Sequence, residues 1–262
     1  MSKKRLIPKL QMKSSERNAE KLVLVITKKY DGIIEIGDPI SQAKIYQHQG
    51  ADELIFVNID RKKKSVEQLA EVIAKVSEEI FMPITVGGGV KTLEDFRFLL
   101  SNGADKISIN TKAIEDPNFI SVAAEKYGAQ CVVVSIDYKK DQTTGKYFVY
   151  KENGSVKTDI DPVEWAYKCE KLGAGELLLT CIDNDGMKNG LELEISQQIA
   201  TNVSIPLIVS GGCGLAQHFS DGYLIGMADA VAAGSFFAHR DQNFMQTRSQ
   251  IRNSGVEIRM YS

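Results

Sequence analysis

The chain has 262 residues, of which 43% are apolar and 25% charged, the proportions of a globular protein with one large domain or two small ones. A net charge of −2 excludes the strongly basic composition of nucleic-acid-binding proteins, and no apolar run reaches the roughly 18 residues that a membrane helix needs. The N-terminal sequence MSKKRLIP lacks the apolar core of a signal peptide, which predicts a cytoplasmic protein.

Short strand-like runs alternate with helical patterns along the chain. The predicted strands are 5–12, 53–59, 84–86, 106–109, 131–137, 176–181, 207–209 and 230–233, and the predicted helices include 41–49, 65–80, 92–101, 117–127, 162–172 and 192–202. Eight such alternations predict an α/β protein with a (β/α)₈ TIM barrel over residues 1–262. An open, doubly wound sheet is the competing architecture.

An internal repeat favours the barrel. Residues 38–60 resemble residues 161–183, and residues 83–89 resemble residues 206–212 at the same offset of 123 positions. An open sheet requires no such symmetry. The repeat predicts two tandem half-barrels, at about 1–125 and 126–262.

Residue types that usually bind metals are few and scattered. The chain has three histidines and four cysteines, and none of them stand at the spacing of metal ligands: His48, His218, His239, Cys131, Cys169, Cys181 and Cys213. We therefore expect reduced core cysteines, no metal and no cofactor.

Glycine-rich turns follow the third and seventh predicted strands, as GGG at 87–89 and SGGCG at 210–214. Glycine lets the backbone approach a ligand closely, and backbone N–H groups at the start of a helix bind anions. The strand ends Asn110-Thr111 and Gly234-Ser235 add donors. Two phosphate cradles are predicted, hence a ligand with a phosphate at each end; tight turns without a ligand are the alternative.

Four charged residues begin the first, second, fourth and sixth predicted strands. They are Arg5, Glu53, Lys106 and Glu176, and the two-residue period of a strand turns all four toward the barrel axis. Buried charges are costly unless they are paired, and two cations can form a closed ring with two anions. The ring could also serve only as a structural plug.

Six segments closely resemble the HisF-type cyclase subunit of imidazole glycerol phosphate synthase: DELIFVNID, PITVGGGVKTLEDF, GADKISINT, AQCVVVSIDYKK, DPVEWAYKCEKLGAGELLLTCIDNDG and IPLIVSGGCG. The resemblance covers residues 5–259. It implies that a HisH-type glutaminase at the N-terminal barrel face makes ammonia, which passes the charged ring as a gate and attacks a phosphorylated small molecule at the other end. It also implies phosphate binding by Gly88, Gly89, Asn110, Thr111, Asp185, Gly186, Gly211, Gly212, Gly234 and Ser235.

The resemblance further implies an acid/base pair of aspartates at the ends of strands one and five. Asp137 matches the second aspartate, whereas Gln11 stands where the first is expected. An amide cannot accept a proton at neutral pH. Asn58 and Lys9 are further polar changes nearby. The long first loop shows no clear match to the family's lysine, and Lys28 and Lys29 are the candidates for it.

These departures favour a branch of the family that works with a glutaminase and a sugar amidotransferase to amidinate a sugar of a surface polysaccharide such as lipopolysaccharide. The first alternative is a genuine cyclase (lyase) of histidine biosynthesis in which a different residue serves as the general base. The second is a non-catalytic scaffold that activates the glutaminase. The third is the related single-chain isomerase, which has no use for the charged ring.

Overall fold

The computed structural model describes residues 3–60, 65–238 and 243–259. The strands are β1 (Arg5–Ser14), β2 (Leu22–Lys28), β3 (Asp31–Gly37), β4 (Leu54–Asn58), β5 (Ile84–Gly87), β6 (Lys106–Ile109), β7 (Val132–Lys140), β8 (Tyr147–Lys151), β9 (Val156–Lys157), β10 (Glu176–Cys181), β11 (Leu207–Ser210) and β12 (Ala230–Ala233). The helices are α1 (Pro39–His48), α2 (Ser65–Ser77), α3 (Leu93–Ser101), α4 (Thr111–Glu115), α5 (Asn118–Tyr127), α6 (Pro162–Lys171), α7 (Leu193–Asn202), α8 (Ala216–Leu224), α9 (Ser235–Ala238) and α10 (Phe244–Asn253).

Eight parallel strands close into a barrel in the order β1, β4, β5, β6, β7, β10, β11, β12. The last strand pairs with the first, Arg5 opposite Ala230. The predicted (β/α)₈ barrel is confirmed, and the open-sheet alternative is wrong because no barrel strand is left as an edge. The division into two half-barrels stays a prediction.

Alternation along β1 explains the composition of the interior. Leu6, Leu10 and Met12 face the helices and belong to the large core between strands and helices. Ile7 faces the axis, where it packs in an apolar layer with Ile55, Val133, Leu178, Ile208, Ala230 and Ala232. Because parallel barrel strands are buried on both faces, they read as nearly continuous apolar runs.

Two antiparallel hairpins extend the barrel at the carboxyl ends of its strands. β2 and β3 follow β1, and β8 and β9 follow β7. The segment 22–37 is not among the predicted strands: the run LVLVITK is rich in β-branched residues and pairs with the end of β1, Val25 opposite Gln11. The hairpin brings its tip over the barrel mouth.

Within the described ranges, no helix is long and apolar enough to cross a membrane. Across the same ranges no three His, Cys, Asp or Glu side chains come together as a metal site. Of the three histidines, His239 lies outside the described residues.

Candidate active site

Asp137 lies on β7 at the carboxyl end of the barrel and is 8% exposed. The Tyr30 hydroxyl donates to its Oδ1 at 3.0 Å, and the Ser135 hydroxyl donates to the same oxygen at 3.2 Å. The Asn110 amide donates to Oδ2 at 3.3 Å. The carboxylate is therefore held in a buried network of donors, and the Tyr30 side chain covers it.

Tyr30 reaches this position through the turn of the β2–β3 hairpin. Lys29 and Tyr30 form a two-residue turn with φ values of 54° and 63°, the left-handed backbone typical of a type I′ hairpin. Lys28 and Lys29 are exposed on the outer side of this turn. A role for either lysine in the site stays a prediction, and the inward position on β2 is occupied by Thr27.

Gln11 contacts Thr27 rather than Asp137 within the described network. The Thr27 hydroxyl lies 3.0 Å from Gln11 Oε1 and 2.6 Å from Asp185 Oδ2. Asp185 follows β10, and its backbone carbonyl accepts from the Lys29 amide at 2.8 Å. The hairpin therefore ties the end of β1 to the loop after β10.

Lys9 supplies the positive charge of the chamber. It is 6% exposed, and its Nζ donates to the Thr180 hydroxyl at 3.1 Å. Burial raises the pKa of Asp137 and of Asp185 above the ordinary aspartate value, while attraction by the Lys9 ammonium opposes the rise at both groups. Burial together with the Asp137 charge raises the pKa of Tyr30, so its hydroxyl keeps its proton and donates.

A pocket opens between the β2–β3 hairpin and the loops after β10, β11 and β12. Its volume is about 20 Å³, room for about one water molecule. Six of the predicted phosphate-binding residues line it together with Gln11, Lys9 and Thr27: Asp185, Gly186, Gly211, Gly212, Gly234 and Ser235. At Gly212 the φ of +120° and the Gly190 carbonyl, 2.0 Å from where a Cβ would stand, require glycine.

The other four predicted phosphate-binding residues lie outside this pocket. The Asn110 amide is engaged by Asp137, Ser135 and Tyr150, and the described part of the chain offers its buried Oδ1 no hydrogen-bond partner. The Asn110 amide N–H groups are thus engaged within the protein, and its Oδ1 is a buried acceptor, whereas phosphate requires donors.

The hairpin tip after β8 packs over the same strand ends. The Thr111 hydroxyl accepts from the Glu152 amide at 3.0 Å, and Asn153 donates to the Ile59 carbonyl at 2.7 Å. Gly88 and Gly89 have positive φ, and a Cβ at Gly88 would lie 2.1 Å from the Asn58 carbonyl. A phosphate at this first cradle stays a prediction.

A ring of four charges fills the opposite end of the barrel. Arg5 donates to Glu53 at 2.7 Å and to Glu176 at 2.6 Å. Lys106 donates to the second oxygen of each carboxylate, at 3.2 Å and 2.9 Å. Attraction by the two cations outweighs burial and lowers the pKa of Glu53. The interior thus stacks a charged ring, the apolar layer around Ile7, and then the polar chamber around Lys9.

Sequence reasoning missed Thr27 and Tyr30. The available signal for a strand was the β-branched run LVLVITK, but Lys29 and Tyr30 gave no signal of the turn that follows it. Asn58, treated as a changed site residue, instead accepts from the Asp60 amide at 2.9 Å and shapes the end of β4.

Comparisons with known proteins agree with this architecture. The sequence profile of the family described as "Histidine biosynthesis protein" matches residues 11–242. A protein of Prochlorococcus marinus (strain MIT 9313), provisionally named imidazole glycerol phosphate synthase subunit hisF2, is 50% identical over 262 residues, 99% of each chain.

Two further relatives carry the name imidazole glycerol phosphate synthase subunit HisF. The Lachnoclostridium phytofermentans protein is 44% identical over 226 residues, 86% of this chain and 88% of its own. The Clostridium botulinum (strain Kyoto / Type A2) protein is 42% identical over 226 residues, 86% and 89% of the two chains. The chain therefore belongs to the histidine biosynthesis protein family, as a HisF-type imidazole glycerol phosphate synthase subunit.

Proposed function

We propose that this chain is a HisF-type subunit that receives ammonia from a HisH-type glutaminase at its N-terminal barrel face and serves the amidination of a surface-polysaccharide sugar. One observation carries the proposal: Gln11 lies on β1 at the carboxyl end of the barrel, where an acid/base pair with Asp137 would need a carboxylate, while the charged ring at the opposite end is complete. The chemistry of cyclisation is altered and the ammonia entrance is kept.

The ring supports ammonia entry because its residues are costly to keep for stability alone. Desolvating four charges is expensive, and well-packed apolar side chains commonly stabilise a core as well or better. Arg5 and Lys106 each bridge both Glu53 and Glu176, so a small rotation of one cation opens the ring without leaving an unpaired carboxylate. The apolar layer above it suits a small neutral molecule.

The chamber supports the loss of the ordinary acid/base pair. An amide has no proton to lose or accept near neutral pH, and Tyr30 covers Asp137. The ammonia is then accepted by the substrate of a partner protein. We propose that this partner is an amidotransferase that binds at the carboxyl end of the barrel, and that its substrate is a sugar. A phosphorylated small molecule in the lined pocket would be a ligand of this chain itself.

The second candidate is a genuine cyclase of histidine biosynthesis. It is favoured by Asp185, a second carboxylate that lines the pocket beside Lys9 and stands within the Thr27 network that holds Gln11. In this reading the base has moved from β1 to the loop after β10. The names of the relatives agree with either candidate.

The experiment is a reconstitution with the purified glutaminase partner. We expect the chain to bind it and to stimulate glutamine hydrolysis. We expect Arg5→Met, which leaves the ring permanently open, to lower the fraction of glutamine-derived ammonia that reaches a sugar amidotransferase added to the mixture. Lys4→Met is the matched control, because the Lys4–Asp229 pair at 3.3 Å lies outside the ring. Failure to bind or stimulate the glutaminase would overturn the proposal.

A further inference from the structure

Lys9 places an amine in the middle of the barrel, directly above the apolar layer. It follows Ile7 by two residues on β1, so both side chains point toward the axis. Its Nζ donates to the Thr180 hydroxyl of β10 at 3.1 Å, and β1 and β10 are not neighbours in the barrel. The Lys9 side chain therefore reaches across the barrel interior, where it also lines the pocket.

The surroundings of this amine are unusual for a buried charge. Lys9 is 6% exposed, and among the residues that the structure describes its hydrogen-bond partner is Thr180 and it forms no ion pair. Buried charges are ordinarily paired. An ammonium has three N–H donors, so Lys9 keeps unused bonding capacity toward the pocket. A titratable group in this situation is a candidate for a chemical role.

The pocket beside Lys9 suits a ligand with several hydroxyl groups. Side chains with hydroxyl or amide groups both donate and accept hydrogen bonds, as sugar hydroxyls do. An open-chain sugar also has a carbonyl carbon, the group with which a lysine amine forms a Schiff base. Four residues with such side chains line the pocket: Gln11, Thr27, Ser210 and Ser235.

We propose that Lys9 is a nucleophile that forms a Schiff base with the carbonyl carbon of an open-chain sugar, and that Asp185 carries protons for this step. A bond forms between Lys9 Nζ and the carbonyl carbon, the carbon–oxygen bond breaks, and the oxygen leaves as water. The water takes two of the three protons of the Lys9 ammonium, and the third stays on the iminium nitrogen. Asp185 accepts the first of these protons and passes it to the leaving oxygen, so the step needs no oxidant and no other reactant.

Asp185 is the carboxylate of the pocket. It lines the pocket together with Lys9, whereas Asp137 is covered by Tyr30. Burial raises the pKa of Asp185 above the ordinary aspartate value, although the Lys9 charge opposes the rise. A carboxylate with a raised pKa is a stronger base, so Asp185 is suited to take a proton from an ammonium.

Binding of a sugar requires the pocket to widen. Its volume is about 20 Å³, room for about one water molecule, and the β2 residues Leu24, Val25, Ile26 and Thr27 form one side of it. The inference therefore includes a shift of the β2–β3 hairpin when the ligand binds. It goes beyond the proposed function, because it requires neither ammonia nor a glutaminase.

The test is reductive trapping on the whole chain, with dihydroxyacetone as the ketose, sodium cyanoborohydride as the reductant and peptide mass mapping as the readout. We expect Lys9 to be modified at least about tenfold faster than Lys75, an exposed lysine on α2, because a bound ketone has a high effective concentration at the amine. Burial alone predicts the reverse order. Modification of Lys9 that is no faster than that of Lys75 would overturn the inference.

The role of Asp185 is tested in the same assay. Asp185→Asn should slow the modification of Lys9 by roughly tenfold or more and leave Lys75 unchanged, because the amide cannot carry a proton. Asp183→Asn is the matched control and should behave as the unmodified chain, since Asp183 lies in the same loop but accepts from the Lys140 amide at 2.8 Å outside the pocket. An unchanged rate at Lys9 in Asp185→Asn would overturn the role of Asp185. The assay contains no glutaminase and no ammonia, so its failure leaves the proposed function standing, and the reverse.

Discussion

The Tyr30 hydroxyl donates to Asp137 Oδ1 at 3.0 Å across the mouth of the barrel. This contact joins the turn of an antiparallel hairpin to the carboxylate that the family resemblance places at the centre of the chemistry. The hairpin therefore covers the site. The effect of this hydrogen bond on Asp137 can be tested by replacing Tyr30 with phenylalanine, which lacks the hydroxyl.

Tyr30→Phe removes the donor and leaves the ring in place. We expect the pKa of Asp137 to rise further, because the hydrogen bond from Tyr30 is one of the contacts that lower it. The loss of a hydrogen bond to a buried carboxylate should cost about 1–2 kcal/mol of unfolding free energy. Carboxyl ¹³C NMR and urea denaturation measure the two effects. Tyr147→Phe, which loses a 2.8 Å bond to Glu192 outside the chamber, should not move the Asp137 titration.

The charged ring predicts a large effect of breaking one pair. Arg5→Met leaves two buried carboxylates with Lys106 alone and should cost roughly 3–5 kcal/mol of unfolding free energy. Lys4→Met breaks a more exposed pair and should cost less than about 1 kcal/mol. Equal losses in the two variants would show that the ring is not a closed buried network.

From the charged ring we also expect the free energy of unfolding to depend on pH. The folded protein lowers the pKa of Glu53 below its ordinary 4.5, so the unfolded chain binds the proton more readily. The stability that Glu53 contributes is therefore fully present at pH 7 and is lost as the pH falls below 4.5. Glu53→Gln should destabilise the protein more at pH 7 than at pH 3 in urea denaturation, and a constant difference would contradict this assignment.

For Asp185 we expect the opposite pH dependence of the free energy of unfolding. Its pKa is raised in the folded protein from 3.8, so folding binds a proton and stability falls as the pH rises from 3.8 through the folded pKa. Asp185→Asn should be at least as stable as the unmodified chain at pH 7, with the difference closing as the pH is lowered toward 3.8. Asp183→Asn is the control for the stability measurement. A large loss of stability in Asp185→Asn at pH 7 would contradict the statement that burying the ionised Asp185 carboxylate is unfavourable.

The contact between the hairpin and the loop after β10 can be tested with glycine variants. A Cβ at Gly186 would lie 2.0 Å from the Thr27 carbonyl at a φ of +68°, so Gly186→Ala should shift the hairpin and cost about 2–4 kcal/mol. Gly32 has a φ of +56° and nothing within 4 Å, so Gly32→Ala carries only the backbone cost of about 1 kcal/mol. Denaturation curves that coincide would refute the proposed close contact.

Much of the barrel was predictable because its signals are local and periodic. Eight apolar runs and the inward positions of Arg5, Glu53, Lys106 and Glu176 follow from the two-residue period of a strand, and closure follows from their number. The hairpin over the mouth depends on left-handed backbone at Lys29 and Tyr30, which are not residues that usually signal such a turn. Without it, neither the cover on Asp137 nor the bridge from Gln11 to Asp185 could be foreseen.

The central claim is that the chain retains an ammonia entrance while lacking the ordinary acid/base pair at the other end. Its most direct test is turnover of the family's bis-phosphorylated ribulose-type substrate with ammonium chloride, comparing the unmodified chain with Gln11→Asp. The account predicts little or no turnover by the unmodified chain and a gain of roughly 10²-fold or more when the carboxylate is restored. Substantial turnover by the unmodified chain that Gln11→Asp does not increase would contradict it.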